Sequence, residues 1–221
     1  MIKAVIFDMD GVIVDSEPLW QRMLPLYLHT KGITFKYDKK SLQLINLHFR
    51  GRRQKYITGI LKKKFQITDP YHKILNDRLH ILFGIFRHSL KSIPGTIPFI
   101  KKLHASGYPL VLASSSPHRV IRYVLKKFHL KKYFKFTVSG DDVQRGKPHP
   151  EIFLKSAQLL RTKPSEILVI EDSISGILAA HRAGMKCIAL KQPYTPKKYL
   201  NSATLVVHRL SAISLQTISH L

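Results

Sequence analysis

The chain is poor in acid. Asp and Glu number 13 against 37 Lys and Arg, which gives 221 residues a formal net charge of +24. It has a single cysteine, Cys187. One thiol excludes a disulfide framework and a cysteine-rich zinc site, and it fits a reducing compartment. No apolar stretch approaches the roughly 20 residues that a membrane-spanning helix needs. The first residues lack the basic, apolar, small-residue order of a secretory signal. A soluble cytoplasmic protein without a membrane span is therefore expected, acting as a monomer. Zinc-finger spacing and long basic-aromatic tracts are absent as well, as are internal repeats and low-complexity segments. The excess positive charge favours anionic partners such as phosphorylated metabolites or nucleic acid, although most of it reads as a scattered, solvated lysine surface. What the chain does have is core-forming material, since 44% of its residues are hydrophobic.

The few acids are grouped. Asp8, Asp10, Asp15 and Glu17 form one cluster, Asp141 and Asp142 a second, Glu171 and Asp172 a third, and only Asp38, Asp69 and Asp77 fall between residues 18 and 140. A chain so short of carboxylates that places them at strand ends is expected to need them there.

Lys3-Ala4-Val5-Ile6-Phe7 is a short apolar, β-branched run that reads as a buried strand, with Asp8-Met9-Asp10-Gly11 at its end. Ser16 or Asp15 is placed to cap the helix that follows, with Pro18 in its first turn. From there to about Leu90 apolar residues recur at helical spacing, among them Trp20, Met23, Leu24, Tyr27, Ile57, Leu61, Ile74, Leu79, Leu82 and Phe86. This helical insertion holds 15 Lys and Arg against 3 acids over residues 18–90. Ile93-Pro94-Gly95-Thr96 reads as the return hinge. Strands then alternate with helices. The strands are expected at 109–113, 136–138, 167–170, 186–190 and 205–207, the helices at 97–106, 117–128, 151–160 and 175–183. That alternation predicts an α/β fold with a doubly wound parallel sheet.

Four of the strand ends carry chemistry. The first ends in Asp8 and Asp10, the second in Ser114-Ser115-Ser116. The third leads to Gly146-Lys147-Pro148-His149-Pro150, and the fourth ends in Glu171-Asp172-Ser173. Each alone has an ordinary structural reading as a turn, a helix cap or a loop lysine. If the strands are parallel neighbours, all four sets meet at one rim, where open α/β sheets bind their ligands. Carboxylates are the hard ligands that Mg²⁺ takes. Ser114 before a helix start is a phosphate cradle, and Lys147 offsets negative charge. Asp8 is suited to attack phosphorus and Asp10 to protonate the leaving oxygen.

Taken together, the four motifs strongly resemble those of haloacid dehalogenase-like (HAD) phosphohydrolases. Asp15-Ser16-Glu17-Pro18-Leu19-Trp20 and the helical insert are similar to the β-phosphoglucomutase/sugar-phosphatase branch. The resemblance covers nearly the whole chain. It implies a Rossmann-like HAD core over residues 1–15 and 93–221, with an inserted helical cap domain at 16–92. It further implies Asp8 as nucleophile, Asp10 as acid/base, and Ser114, Ser115 and Lys147 as phosphate-binding residues. Mg²⁺ would be held by Asp8, the Asp10 backbone carbonyl, Glu171 and Asp172. In the cap segment Leu47-His48-Phe49-Arg50-Gly51-Arg52-Arg53, the arginines Arg50, Arg52 and Arg53 are candidates for substrate binding.

The reading is therefore a Mg²⁺-dependent phosphatase of a small phosphorylated metabolite, a sugar phosphate foremost. One alternative is a β-phosphoglucomutase-like phosphohexomutase. Such mutases carry a histidine near the start of the cap, where this chain has Trp20, which favours hydrolysis. A nucleic-acid-binding protein on a HAD scaffold is the alternative from another class, and the complete set of catalytic positions argues against it.

Overall fold

The computed structural model describes residues 1–36, 38, 41, 49–191 and 197–221. Leu47 and His48 of the cap segment lie outside the described residues. Strands β1 (Ala4–Phe7), β2 (Leu110–Ser114), β3 (Phe136–Ser139), β4 (Ile167–Glu171), β5 (Lys186–Leu190) and β6 (Leu205–Val207) form one sheet in the order β3-β2-β1-β4-β5-β6. Every neighbouring pair is parallel. The sheet is covered on both sides, which is why its strands read as unbroken apolar runs. Val5, Phe7, Leu110, Leu112, Leu168 and Ile170 point into one cluster, while Ala4, Ile6, Val111, Ala113, Ile167 and Val169 point into the other.

Helices α1 (Glu17–His29), α2 (Gln54–Phe65) and α3 (Tyr71–Ser89) lie between β1 and β2 in the chain. Then follow α4 (Thr96–Ala105), α5 (His118–Lys127), α6 (Glu151–Leu160), α7 (Ile174–Arg182), α8 (Lys197–Leu200) and α9 (Leu215–Ser219). Phe99 and Leu103 of α4 and Val120 and Val124 of α5 join the first cluster, and Phe153 of α6 and Ile177 of α7 join the second. Leu24, Tyr27, Leu61, Ile74, Leu82 and Phe86 give α1, α2 and α3 a shared apolar interior. The two connections to this helical insert run side by side. Asp15 N–H donates to the Lys91 carbonyl at 3.0 Å, and Ile93 N–H to the Ile13 carbonyl at 2.9 Å.

The expected strands and helices are present with ends shifted by a residue or two, and the short α8 and α9 are additions. One expected cap differs. Ser16 stands at the N-cap of α1 but makes no capping hydrogen bond; its hydroxyl donates to Asp10 Oδ1 at 2.5 Å instead. The hydroxyl is oriented by its donation to a charged acceptor, and Pro18 in the first turn of α1 has no N–H that needs a partner.

The chain leaves β1, builds β2 and β3 on one side, and returns to β4 on the other. The sheet therefore reverses its winding between β1 and β4, and a crevice opens there at the carboxyl ends of the strands.

Candidate active site

Asp8 and Glu171 flank that crevice. Phe7 pairs with Ile170 in the sheet, and Asp8 N–H donates to the Ile170 carbonyl at 3.0 Å. Lys147 reaches between them from the loop before α6. Its Nζ lies 2.6 Å from Asp8 Oδ1, 2.7 Å from Glu171 Oε1 and 3.4 Å from the Ala113 carbonyl. All three residues are buried, Lys147 at 1% exposure. Burial alone would pull the Lys147 ammonium down, but Asp8 and Glu171 outweigh it and hold the group above its ordinary value. Burial also pushes the Asp8 carboxyl well above the usual range; Lys147 opposes this, and Glu171 and Asp10 add to it.

The other oxygen of Glu171, Oε2, accepts from Asp172 N–H and Ser173 N–H, each at 2.8 Å, and from Ser173 Oγ at 3.0 Å. Its carboxylate thus curls over the first turn of α7, and a Cβ at Gly176 would overlap it. Gly11, at φ +84°, is required for two reasons: its backbone is left-handed, and a Cβ there would strike the Asp172 carboxylate. One oxygen each of Asp8, Glu171 and Asp172 lies within 4.8 Å of the other two. Three buried carboxylates face the single ammonium of Lys147, so negative charge is in excess in a place of low dielectric. That donor set fits a hard divalent cation such as Mg²⁺, which binds through one or two carboxylates and leaves positions for phosphate and water.

Asp10 faces elsewhere. Its Oδ1 accepts from Ser16 Oγ and, at 3.1 Å, from Trp20 Nε1. Its Oδ2 accepts from Ser116 Oγ at 2.8 Å and Ser114 Oγ at 3.2 Å. The Asp10 side chain therefore stands outside the trio of Asp8, Glu171 and Asp172, on the cavity side. Ser16, Trp20 and Ser116 are site residues that sequence reasoning did not assign. Ser114 Oγ also accepts from Ser116 N–H at 3.1 Å, while Ser115 Oγ donates to the Gly51 carbonyl at 2.7 Å. The start of α5 is less open than expected, because His118 N–H is taken by Asp141 Oδ2 at 3.1 Å.

The segment 49–53 lies over this rim. Ser175 Oγ donates to the Arg50 carbonyl at 3.2 Å and Arg52 Nη1 to the Lys147 carbonyl at 2.9 Å, while Arg53 Nη1 donates to the Gln144 carbonyl. Gly51, at φ +67°, fits against Ser173 and Ser175 where a side chain would not. Beneath it is a cavity of about 50 Å³ whose walls include Asp8, Asp10, Glu17, Trp20, Arg52 and Arg78. Of the three cap arginines only Arg52 lines this cavity; Arg50 Nη1 lies 3.7 Å from Glu17 Oε2, and Arg53 is turned to the third-strand loop. Arg78, absent from the sequence-derived candidates, lines it from α3.

The second acid cluster is structural. Asp142 accepts from Ser139 N–H at 2.8 Å and lies 3.0 Å from His118 Nε2. His149 accepts from Glu151 N–H at 3.2 Å and orders the start of α6.

A family model described as haloacid dehalogenase-like hydrolase matches residues 2–184. The chain is 32% identical over 187 residues to a phosphorylated carbohydrates phosphatase of Thermotoga maritima, spanning 85% of this chain and 84% of that one. It is 28% identical over 222 residues to hexitol phosphatase A of Escherichia coli, spanning 96% and 94% of the two chains. Among solved structures, CbbY of Rhodobacter sphaeroides in complex with phosphate superposes with a TM-score of 0.87 at 21% identity, covering 99% of this chain and 100% of that one.

Proposed function

The chain belongs to the haloacid dehalogenase-like hydrolases, and on that premise we propose that it is a Mg²⁺-dependent phosphatase of a small phosphorylated carbohydrate, working through an aspartyl-phosphate on Asp8. The observation that carries this reading is the contact of Lys147 with both Asp8 and Glu171 beside a third buried carboxylate, Asp172. The names of the Thermotoga and Escherichia relatives support the substrate class.

In this reading Asp8 attacks phosphorus, forming a P–O bond to its carboxylate while the ester P–O bond breaks. Lys147, with its ammonium 2.6 Å from Asp8, holds that carboxyl in place and opposes the burial that would keep it protonated. Asp10, fixed by four donors, hands a proton to the leaving alkoxide and then takes one from the water that cleaves the acyl phosphate. Ser114, Ser115 and Lys147 bind the phosphoryl oxygens. Asp8, the Asp10 carbonyl, Glu171 and Asp172 would hold Mg²⁺, which supplies charge neutralisation to the transferred group. The helical insert, residues 16–92, serves as a cap whose segment 49–53 excludes bulk water from the rim. Trp20 stands beside Asp10 with an indole, which exchanges no proton near neutral pH. That favours transfer of the phosphoryl group to water over return to a sugar.

The test is phosphate release from a panel of sugar and polyol phosphates with and without Mg²⁺, run beside an isomer-conversion assay with a bisphosphate primer. Mg²⁺-dependent phosphate release without isomer conversion supports the reading. No release from any ester, or conversion in preference to release, contradicts it.

A further inference from the structure

Helix α3 repeats Ile74, Arg78, Leu82 and Phe86 at four-residue spacing, which places all four on one face. Three are buried apolar residues, and the fourth is an arginine at 2% exposure. Arg78 Nε and Nη1 are buried and make no hydrogen bond, and among the described residues no carboxylate pairs with the guanidinium. Loss of hydration pulls it down to about 10, with only the hydroxyls of Tyr27 and Tyr71 favouring its charge. Other polar atoms of the helical insert are buried with no hydrogen-bond partner as well: Gln54 Oε1 and Thr58 Oγ1, one turn apart on α2, and the Tyr27 hydroxyl. Arg78 and Gln54 line the same cavity as Asp8 and Asp10.

A buried, unpaired charge is costly and is kept in proteins mainly where something pairs with it. Here the open side of Arg78 is the cavity, and its sheet-side wall (Asp8, Asp10) would receive the ester phosphate. Arg78 stands in the helical wall opposite the strand ends, among α1, α2 and α3. A guanidinium presents paired N–H donors that match a carboxylate or a phosphate.

We propose that Arg78 is a specificity-determining residue that receives a second anionic group, a carboxylate or a phosphate, on the end of the substrate remote from the ester being cleaved. This deepens the phosphatase reading and rests on it. Gln54, in the same cavity wall, would bond that group through its amide N–H₂.

The experiment compares wild type, Arg78→Met and Arg78→Lys on matched probes in the presence of Mg²⁺. One pair is glycerol 3-phosphate and 3-phosphoglycerate, which differ by a carboxylate. The other is glucose 6-phosphate and glucose 1,6-bisphosphate, which differ by a phosphate. p-Nitrophenyl phosphate serves as the ester with no second anion. Wild type is expected to favour the more anionic member of one pair by at least tenfold in kcat/KM. Which pair does so identifies the group. Arg78→Met is expected to lose at least tenfold more on that member than on p-nitrophenyl phosphate, through KM, and Arg78→Lys to keep part of the preference.

Absence of any preference in wild type overturns the proposal, and so does an equal loss on all probes in the variants. If wild type hydrolyses none of the esters, the phosphatase reading fails. Calorimetric binding of 3-phosphoglycerate and glucose 1,6-bisphosphate then decides Arg78 separately: weaker binding by Arg78→Lys supports the assignment, and equal binding refutes it.

Discussion

The indole Nε1 of Trp20 donates to Oδ1 of Asp10 across 3.1 Å. Trp20 comes from the first turn of α1 and Asp10 from the turn after β1, so this bond joins the helical insert to the proposed acid/base. Trp20 also meets Phe86 edge-on, with ring centroids 6.4 Å apart. The expected role is to hold the Asp10 carboxylate toward the leaving oxygen. Trp20→Phe keeps the ring contact and removes the N–H. It should lower kcat by about tenfold, the worth of one hydrogen bond to a charged group at ~1.5 kcal/mol. KM for p-nitrophenyl phosphate should stay within about twofold. A drop in KM and kcat together, or no change in either, would detach Trp20 from Asp10 function.

Lys147 is expected to matter for folding as well as catalysis. Lys147→Met leaves Asp8 and Glu171 buried without their counter-charge. Breaking a buried pair in this way costs about 3–5 kcal/mol, so urea unfolding at pH 7.5 should show a large loss. Because the stranded carboxylates can be neutralised by protons, the gap to wild type should narrow as the pH is lowered toward 5. A gap that does not depend on pH would mean the loss comes from packing against Phe153, whose ring lies 4.8 Å from Nζ.

Glu17 gives a pH dependence with a definite sign. Burial pushes its carboxyl up to about 7 from an ordinary 4.5, with Arg50 opposing and Asp10, Asp15 and Glu171 adding. Between those two values the folded chain keeps a proton that the unfolded chain has lost. Glu17 therefore favours folding at low pH, and this contribution is lost as pH rises through 7. The full span is at most about 3 kcal/mol. Glu17→Gln removes the titration, so its stability relative to wild type should climb from pH 5 to pH 8. Parallel unfolding profiles for the two proteins would rule the assignment out.

Gly11→Ala tests the placement of Asp172. A methyl group there meets the Asp172 carboxylate, and the left-handed backbone at φ +84° adds strain of about 1–2 kcal/mol. The displaced carboxylate should raise the Mg²⁺ concentration needed for half-maximal activity by about tenfold or more. The measurement is a Mg²⁺ titration of phosphate release. An unchanged midpoint would remove Asp172 from the cation site.

Much of the architecture was legible because each strand is a short apolar run bounded by turn residues, and both faces of the sheet are covered. The site was legible at its strand ends for the same reason: parallel neighbours put Asp8, Ser114, Lys147 and Glu171 at one rim. What could not be read was the choice of partner. Nothing in Gly140-Asp141-Asp142 distinguishes acids that cap a turn from acids that reach the rim. Ser16 reads as a helix cap in the sequence, yet its hydroxyl donates a hydrogen bond to Asp10. Arg78 did leave a trace, since it interrupts the buried face set by Ile74, Leu82 and Phe86, yet the positive charge all along the insert hid it. Residues 49–53 lie over the rim, but whether a guanidinium faces the cavity or a backbone carbonyl depends on packing that spacing does not encode.

The most direct measurement is to mix the enzyme with Mg²⁺ and a hydrolysed ester, quench in acid within one turnover, and map the covalent phosphate by peptide mass spectrometry. The account predicts one added phosphoryl group on the peptide bearing Asp8, lost in Asp8→Asn together with turnover. Turnover at the wild-type rate in Asp8→Asn, or a phosphoryl group carried by any other residue, would contradict it.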